Sequence, residues 1–396
     1  MTGDAVDLPA IRNRLRADLE SLRSPDGYLR AGSPRYATLF GRDSLVAAWQ
    51  TLAIDPSIAA ATLRTLAAFQ GRREDARSEE EPGKILHEHR FDATSRSELS
   101  AWDFPYYGSV DATLLFLIVA DEYVRLTNDK RILHDLWPAF AAAHEWIDVF
   151  GDRDRDGFVE YERKNPQGLF HQGWKDGSED HLHIAPPVAL VEVQGYAVAA
   201  HRAFATLAER MGHLEVASSA RRTASDVEAK LNRAFWMSEA RYYALGLDGA
   251  KSTRRAITSN PGHLLAMHVV PNDRIDPLIA RLFQPDMWTP YGVRTHATSE
   301  PDFDPYGYHT GTIWPHDNWF LWRGLRAARR IREADRIREA LLRAYADLGK
   351  IPELYAFVDS RLEDLSAGTK RTLANPLQAW STGALIDMVT QDGPRA

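Results

Sequence analysis

"PYYGSVDATLLFLIVADEYVRL", residues 105–126, joins two unlike kinds of chain. From Ala112 onward the apolar residues carry helical spacing, whereas the stretch before it is polar, aromatic and broken by Pro105 and Gly108. The same succession recurs five more times: "FGRDS" runs into Leu45, "HIAPP" into Val188, "TSNPG" into His263, "TGTIWPHDN" into Trp319 and "LANPLQ" into Ala379. The six starts average close to one-sixth of the chain apart. A more ordinary amphipathic helix fits between most of them, as at 131–149, 214–236 and 329–348, while the run from Val188 extends to 210. Strand signals are scarce. The pattern predicts an all-α chain of six helical hairpins closed into a ring, an (α/α)6 barrel with apolar helices inside and charged, Arg-rich helices outside. No linker interrupts it, so residues 1–396 are expected to form one domain. Loops that enter the inner helices of such a ring share one end, so their polar and aromatic residues should converge on one pocket.

Bulk composition narrows what that pocket holds. The chain has 396 residues, more than the usual domain of about 100–200 but within reach of a large barrel. A formal charge of −7 and a pI near 6.1 argue against a polyanionic partner, so no nucleic acid is expected. Of the 48 basic residues only 8 are Lys, and the Arg is spread through segments such as "RGLRAARRIREADRIREALLRAY", which reads as a solvated helix face. Cysteine is absent, which removes disulfides and thiolate chemistry. The opening "MTGDAVDLPAIRNRL" lacks the order of a leader peptide, and no apolar run approaches the roughly 18 residues of a membrane span. A soluble cytoplasmic protein without a membrane partner is therefore expected, and no feature specifies an oligomeric state. The 11 Trp and 14 Tyr concentrate in loop-like stretches. Their flat faces suit sugar rings, which makes carbohydrate the expected substrate.

Each entrance offers candidates. In "FGRDSL" either Asp43 or Ser44 suits a helix N-cap, but Arg42 beside Asp43 also presents donor and acceptor together, as adjacent sugar hydroxyls require. Asp111 likewise suits a cap, while Tyr106 and Tyr107 lie in a turn that gives their rings little helix to pack within. In "LFHQGWKDGSED" (169–180), Asp176 follows Trp174 in a turn set by Gly173 and Gly177, where burial against an aromatic would keep a carboxyl protonated. Lys175 would oppose this if it pointed inward, and could equally bind sugar hydroxyls; Glu179 and Asp180 fall on the loop's solvated flank. "PYGYHTGTIWPHDNW" supplies His309 and Trp314, each a candidate for the binding wall or for the core. "GKIPELYAF" sets Glu353 in an apolar stretch, where an unpartnered carboxylate is costly. It is the candidate partner of Asp176. "ANPLQAWSTGAL" adds Gln378 and Trp380. Finally, "GDRDRDGFVEYE" spaces Asp152, Asp154 and Asp156 as the first half of a calcium loop does, but Arg163 at the twelfth position excludes an EF-hand. A shortened loop closing with the Phe158 carbonyl and Glu160 would give one structural Ca2+ site. The alternative is a solvated acidic turn held by arginines. No organic cofactor is expected.

"FGRDSL", "PYYGSVDAT", "DGFVEY", "QGWKDG", "YHTGTIWPHDN", "PEL" and "NPLQAWS", in this order, resemble the catalytic domain of glycogen-debranching, amylo-α-1,6-glucosidase-like glycoside hydrolases and their (α/α)6 relatives. The resemblance covers nearly the whole chain. It implies Asp176 as general acid, from the "WKD" motif, and Glu353 as general base, from "PEL". It further implies exo-acting hydrolysis of an α-glucosidic bond with inversion, and an acidic calcium loop with Glu160 as a ligand. The β-rich N-terminal domain of many members is missing here, which points to an oligosaccharide or a small glucoside rather than a long polymer. Two other readings fit the same barrel: a sugar epimerase or isomerase working through histidines, and a non-catalytic sugar-binding relative.

Overall fold

The computed structural model describes residues 7–368 and 372–391. The first six residues, part of the opening read above for a leader, lie outside that range. Among the described residues the α-helices are α1 (Leu8–Leu22), α2 (Gly41–Gln50), α3 (Pro56–Ala68), α4 (Ala93–Ser97), α5 (Ala112–Thr127), α6 (Lys130–Trp146), α7 (Val191–Arg210), α8 (Leu214–Ala234), α9 (His263–Ala266), α10 (Asn272–Leu282), α11 (Pro315–Ala327), α12 (Ile331–Leu348) and α13 (Ala379–Thr390). Six of them form a closed ring: α2 packs on α5, α5 on α7, α7 on α9, α9 on α11, α11 on α13, and α13 returns to α2. Around it α3 covers α2 and α5, α6 covers α5 and α7, α8 lies on α7, α12 covers α11 and α13, and α1 lies on α13. The expected (α/α)6 barrel is the observed fold. Among the described residues no helix is long and apolar enough to cross a membrane.

The two rings differ in burial as their sequences differ in pattern. Every residue of α2 is buried, and α13 is buried from Ala379 to Val389, as helices enclosed on all sides must be. In α12 only one stripe is buried, Ala334, Ile337, Ala340, Leu341 and Ala344, and Arg and Glu fill the solvent face. Two-residue strand pairs feed three inner helices: 39–40 pairs with 88–89 before α2, 189–190 with 246–247 before α7, and 377–378 with 32–33 before α13.

Helix starts at Ala112, His263 and Ala379 fall where the sequence sets them, and the others shift for identifiable reasons. In α2 and α11 the polar residues "GRDS" and "PHDN" form the first helical turn instead of a loop, so Phe40, not Asp43 or Ser44, is the N-cap of α2. In α7 the strand at 189–190 delays the start to Val191. The segment expected to be helical to 149 leaves α-geometry after Trp146 and closes with a π turn at 147–151.

Gly324 shows how closely the inner helices approach. A Cβ there would lie 2.6 Å from the Ala266 backbone nitrogen and 2.5 Å from the Leu265 Cβ. Glycine to alanine in a helix ordinarily stabilises by about 0.5–1 kcal/mol. Here α9 would have to move, so Gly324→Ala should instead destabilise by about 1–3 kcal/mol, read as a fall in Tm by thermal melting.

Candidate active site

The first turn of α2 carries Arg42 into the barrel mouth, where its guanidinium is buried. Nε donates to Asp111 Oδ2 at 2.7 Å and Nη1 to Asp176 Oδ2 at 2.9 Å, while Nη2 reaches the Gln172 carbonyl at 3.2 Å. Asp111 stands at the N-cap position of α5, yet its carboxylate makes no capping bond; it accepts from Arg42 and from Ser109 Oγ. Asp176 keeps 27% of its side-chain surface open to the cavity. Burial pushes its pKa up; the charge and hydrogen bond of Arg42 oppose this, and Asp111 adds to the rise.

Glu353 enters the same cavity, delivered by the segment ahead of Tyr355, which pairs with Ile313. Its Oε1 accepts a short hydrogen bond from the Tyr308 hydroxyl and its Oε2 accepts from the Asn375 backbone N–H at 2.8 Å. Burial nevertheless raises its pKa to about 7, with Asp176 adding to the rise. Asp43, on the same helical turn as Arg42, is raised to about 7, first by burial and then by the charges of Asp176 and Glu353. Gln378 Nε2 holds it at 3.1 Å. With Glu88, four carboxyls thus line one cavity of about 280 Å³.

The rest of the wall is aromatic. Trp174 meets Trp314 edge-on, His309 stacks on Trp314, and His316 stacks on Trp380 at 3.8 Å between centroids. Among the described residues no partner stands within hydrogen-bond reach of Trp174 Nε1, Trp380 Nε1 or His309 Nε2. Buried donors of this kind next to a cavity are groups a polyhydroxylated ligand can satisfy.

Residues 36–356 match the family model of the mannosylglycerate hydrolase MGH1-like glycoside hydrolase domain. The chain belongs to that family. A mannosylglycerate hydrolase of Rubrobacter radiotolerans is 29% identical over 199 residues, 48% of this chain, and the match spans only 41% of that relative's length. Among solved structures, the mannosylglycerate hydrolase of Thermus thermophilus in complex with Tris superposes with a TM-score of 0.71 at 15% identity, over 96% of this chain and all of that one. A rhamnosidase from Klebsiella oxytoca with rhamnose bound gives 0.64 at 15% identity, over 98% of this chain and 65% of that one. The glycoside hydrolase resemblance read from the motifs is therefore met, and the family is specified more closely. Membership also speaks against the epimerase and non-catalytic readings.

Of the residues singled out in the sequence, Arg42, Asp43, Trp174, Asp176, His309, Trp314, Glu353, Gln378 and Trp380 line the cavity together. Tyr106, Tyr107, Asp111 and Lys175 do not, against expectation. Tyr106 stacks on Trp102 behind the wall, with its hydroxyl accepting from the Leu169 N–H; the Tyr107 hydroxyl donates to the Phe69 carbonyl. Asp111 is fully buried under Arg42. Lys175 points inward, fully buried, and donates to the Thr295 carbonyl at 2.7 Å; burial lowers its pKa to about 8. Glu179 is exposed as expected, whereas Asp180 pairs with His171 at 2.8 Å. Tyr36, Phe40, His87, Glu88, Arg90, Trp102 and Tyr308 also line the cavity and were not singled out. Tyr308 was the detectable one, adjoining His309 in the same aromatic loop. The acidic turn of Asp152, Asp154, Asp156, Phe158 and Glu160 lies apart from this cavity, and its Asp154, Asp156 and Glu160 meet Lys251 rather than arginines.

The raised pKa of Glu353 has a definite sign in stability. Its folded value, about 7, exceeds the ordinary 4.5, so the folded state holds the proton between those values and loses stability as pH rises through the window. Glu353→Gln, with Tyr308 free to turn its hydroxyl and accept, should therefore raise Tm above pH 7 and change it little near pH 4. Thermal melts of both proteins across this range provide the check.

Proposed function

We propose that this chain is an inverting, exo-acting hydrolase that splits an α-linked hexose from a small anionic aglycone, with a mannosylglycerate-like substrate in place of the α-glucoside first expected. The observation that carries the reading is the pairing of two carboxyls, the partly exposed Asp176 and the buried Glu353, on one aromatic-walled cavity. Asp176 is the proton donor to the glycosidic oxygen. Arg42 holds its Oδ2, which leaves Oδ1 to carry the transferable proton, and burial with Asp111 nearby favours the protonated form. Glu353 is the base that takes a proton from water on the opposite face of the ring. Both its oxygens accept hydrogen bonds, which orients it and leaves it able to ionise near neutral pH. Asp43, Gln378 and the unspent donors of Trp174, Trp380 and His309 grip the sugar hydroxyls.

Two arginines of the mouth, Arg30 and Arg35, support an anionic aglycone, although Asp26, Glu88, Asp92 and Glu98 line the same outer cavity. An inner chamber of about 280 Å³ suits one sugar unit, and it adjoins an outer cavity of about 790 Å³ that shares Tyr36, Glu88 and Arg90 with it. Arg30 and Arg35 line that outer cavity, and Arg35 lies close enough to Glu353 to lower its pKa. A guanidinium there can receive a carboxylate. The names of the relatives in Rubrobacter radiotolerans and Thermus thermophilus agree with this choice.

Asp176→Asn and Glu353→Gln should each lower kcat by at least about 10²–10⁴-fold while leaving the fold intact by circular dichroism. For the native protein kcat/KM should fall about tenfold per pH unit below the Glu353 value near 7. Proton NMR of fresh digests should show the β-anomer of the hexose first; initial release of the α-anomer would overturn inversion. Turnover of neutral α-glucosides in preference to mannosylglycerate would overturn the aglycone assignment.

A further inference from the structure

The acidic turn that follows α6 has the spacing of a cation loop, and its carboxylates do gather: Asp152, Asp154 and Asp156 lie close enough together to share an ion. Calcium requires about 6–8 oxygen ligands. All but one of the carboxylate oxygens here are already committed, the exception being Glu160 Oε2, which is buried without a partner among the described residues. Both carboxylate oxygens of Asp152 accept backbone N–H groups, Oδ1 from Asp156 at 3.0 Å and Oδ2 from Gly157 at 2.9 Å. The Asp156 carbonyl accepts from Lys230 Nζ on α8. Asp154 Oδ1 accepts from the Asp156 N–H at 3.2 Å and Asp156 Oδ1 from the Phe158 N–H at 2.8 Å, while Asp154 Oδ2 at 2.9 Å, Asp156 Oδ2 at 2.7 Å and Glu160 Oε1 in a short contact meet the ammonium of Lys251.

We propose that Lys251 is the turn's built-in cation and that the native protein takes no calcium there. An ammonium carries three N–H donors, and three carboxylates receive them. A guanidinium spreads its donors over three nitrogens in one plane, whereas here three carboxylates gather round a single nitrogen. Two of the chain's 8 lysines, Lys230 and Lys251, serve this one turn in a protein that otherwise favours arginine. The backbone is shaped to deliver the group. Lys251 sits at the tip of the hairpin formed by 246–247 and 253–254 with φ +61°, and its N–H donates to the Asp248 carbonyl at 2.8 Å. Glu160, almost wholly buried, needs a partner whichever cation supplies it. The arrangement ties three pieces of chain, and what it ties leads to the active site. Glu160 is followed by Tyr161, which pairs with Val188 and whose hydroxyl meets His171 Nδ1 at 2.7 Å, in the loop that carries Asp176.

The test uses the whole chain and needs no substrate. Native protein stripped with excess EDTA should keep its Tm, and calorimetric titration with calcium chloride should give no binding heat. A Tm that falls in EDTA or rises with calcium would overturn the proposal, and this arm stands even should a variant fail to fold. Lys251→Met, which keeps the stem and removes the charge, should lose several degrees of Tm, bind calcium and regain most of the loss when calcium is added. A variant with the native Tm, or one that calcium neither binds nor stabilises, would equally overturn it.

Discussion

The contact on which the candidate site depends is the guanidinium of Arg42, one buried cation shared among Asp111, Asp176 and the Gln172 carbonyl. It joins α2 to the cap of its ring neighbour α5 and to the loop after the acidic turn. Asp43 draws on the same charge from the next position. The planar guanidinium, with donors on three nitrogens, reaches two carboxylates and a carbonyl that stand on different sides of it. The geometry around the candidate acid is thus set through Arg42 by Asp111 and the Gln172 carbonyl, which lie behind the cavity wall.

One cation cannot satisfy all the acids facing it. Asp43 and Glu353 both remain near a pKa of 7, so the cavity carries charge that burial disfavours. The fold is held elsewhere, by wholly buried helices such as α2 and α13 and by the outer amphipathic ring. This division is common where a protein keeps polar groups ready for a ligand, since groups satisfied within the protein would have nothing left to offer one.

The ring was legible because enclosed helices must be apolar all round and their entrances cannot be, and both facts are local in sequence. Trp174, Asp176 and Glu353 were legible for the same reason: a carboxyl beside an aromatic, or within an apolar stretch, shows its environment in its neighbours. Tyr106, Tyr107 and Lys175 were misassigned because sequence gives the loop and not the direction of each side chain. Successive residues Trp174, Lys175 and Asp176 divide between wall, interior and cavity. The acidic turn was half legible. Its carboxylates stand within nine residues, but the lysine that answers them lies on a hairpin far along the chain, where nothing local connects the two.

The strand pair that sets Gly32 against Gln378 has a consequence for how the protein comes into being. Gln378 and Asp43 touch across 335 positions of sequence, and Glu353 and Trp380 also belong to the final part of the chain. A nascent polypeptide emerging from the ribosome can assemble hairpins as they appear, but its cavity lacks Gln378 and Trp380 until α13 docks on α2. The cavity wall is therefore completed late, and a chain that stops before Glu353 lacks both α13 and the second carboxyl of the candidate pair.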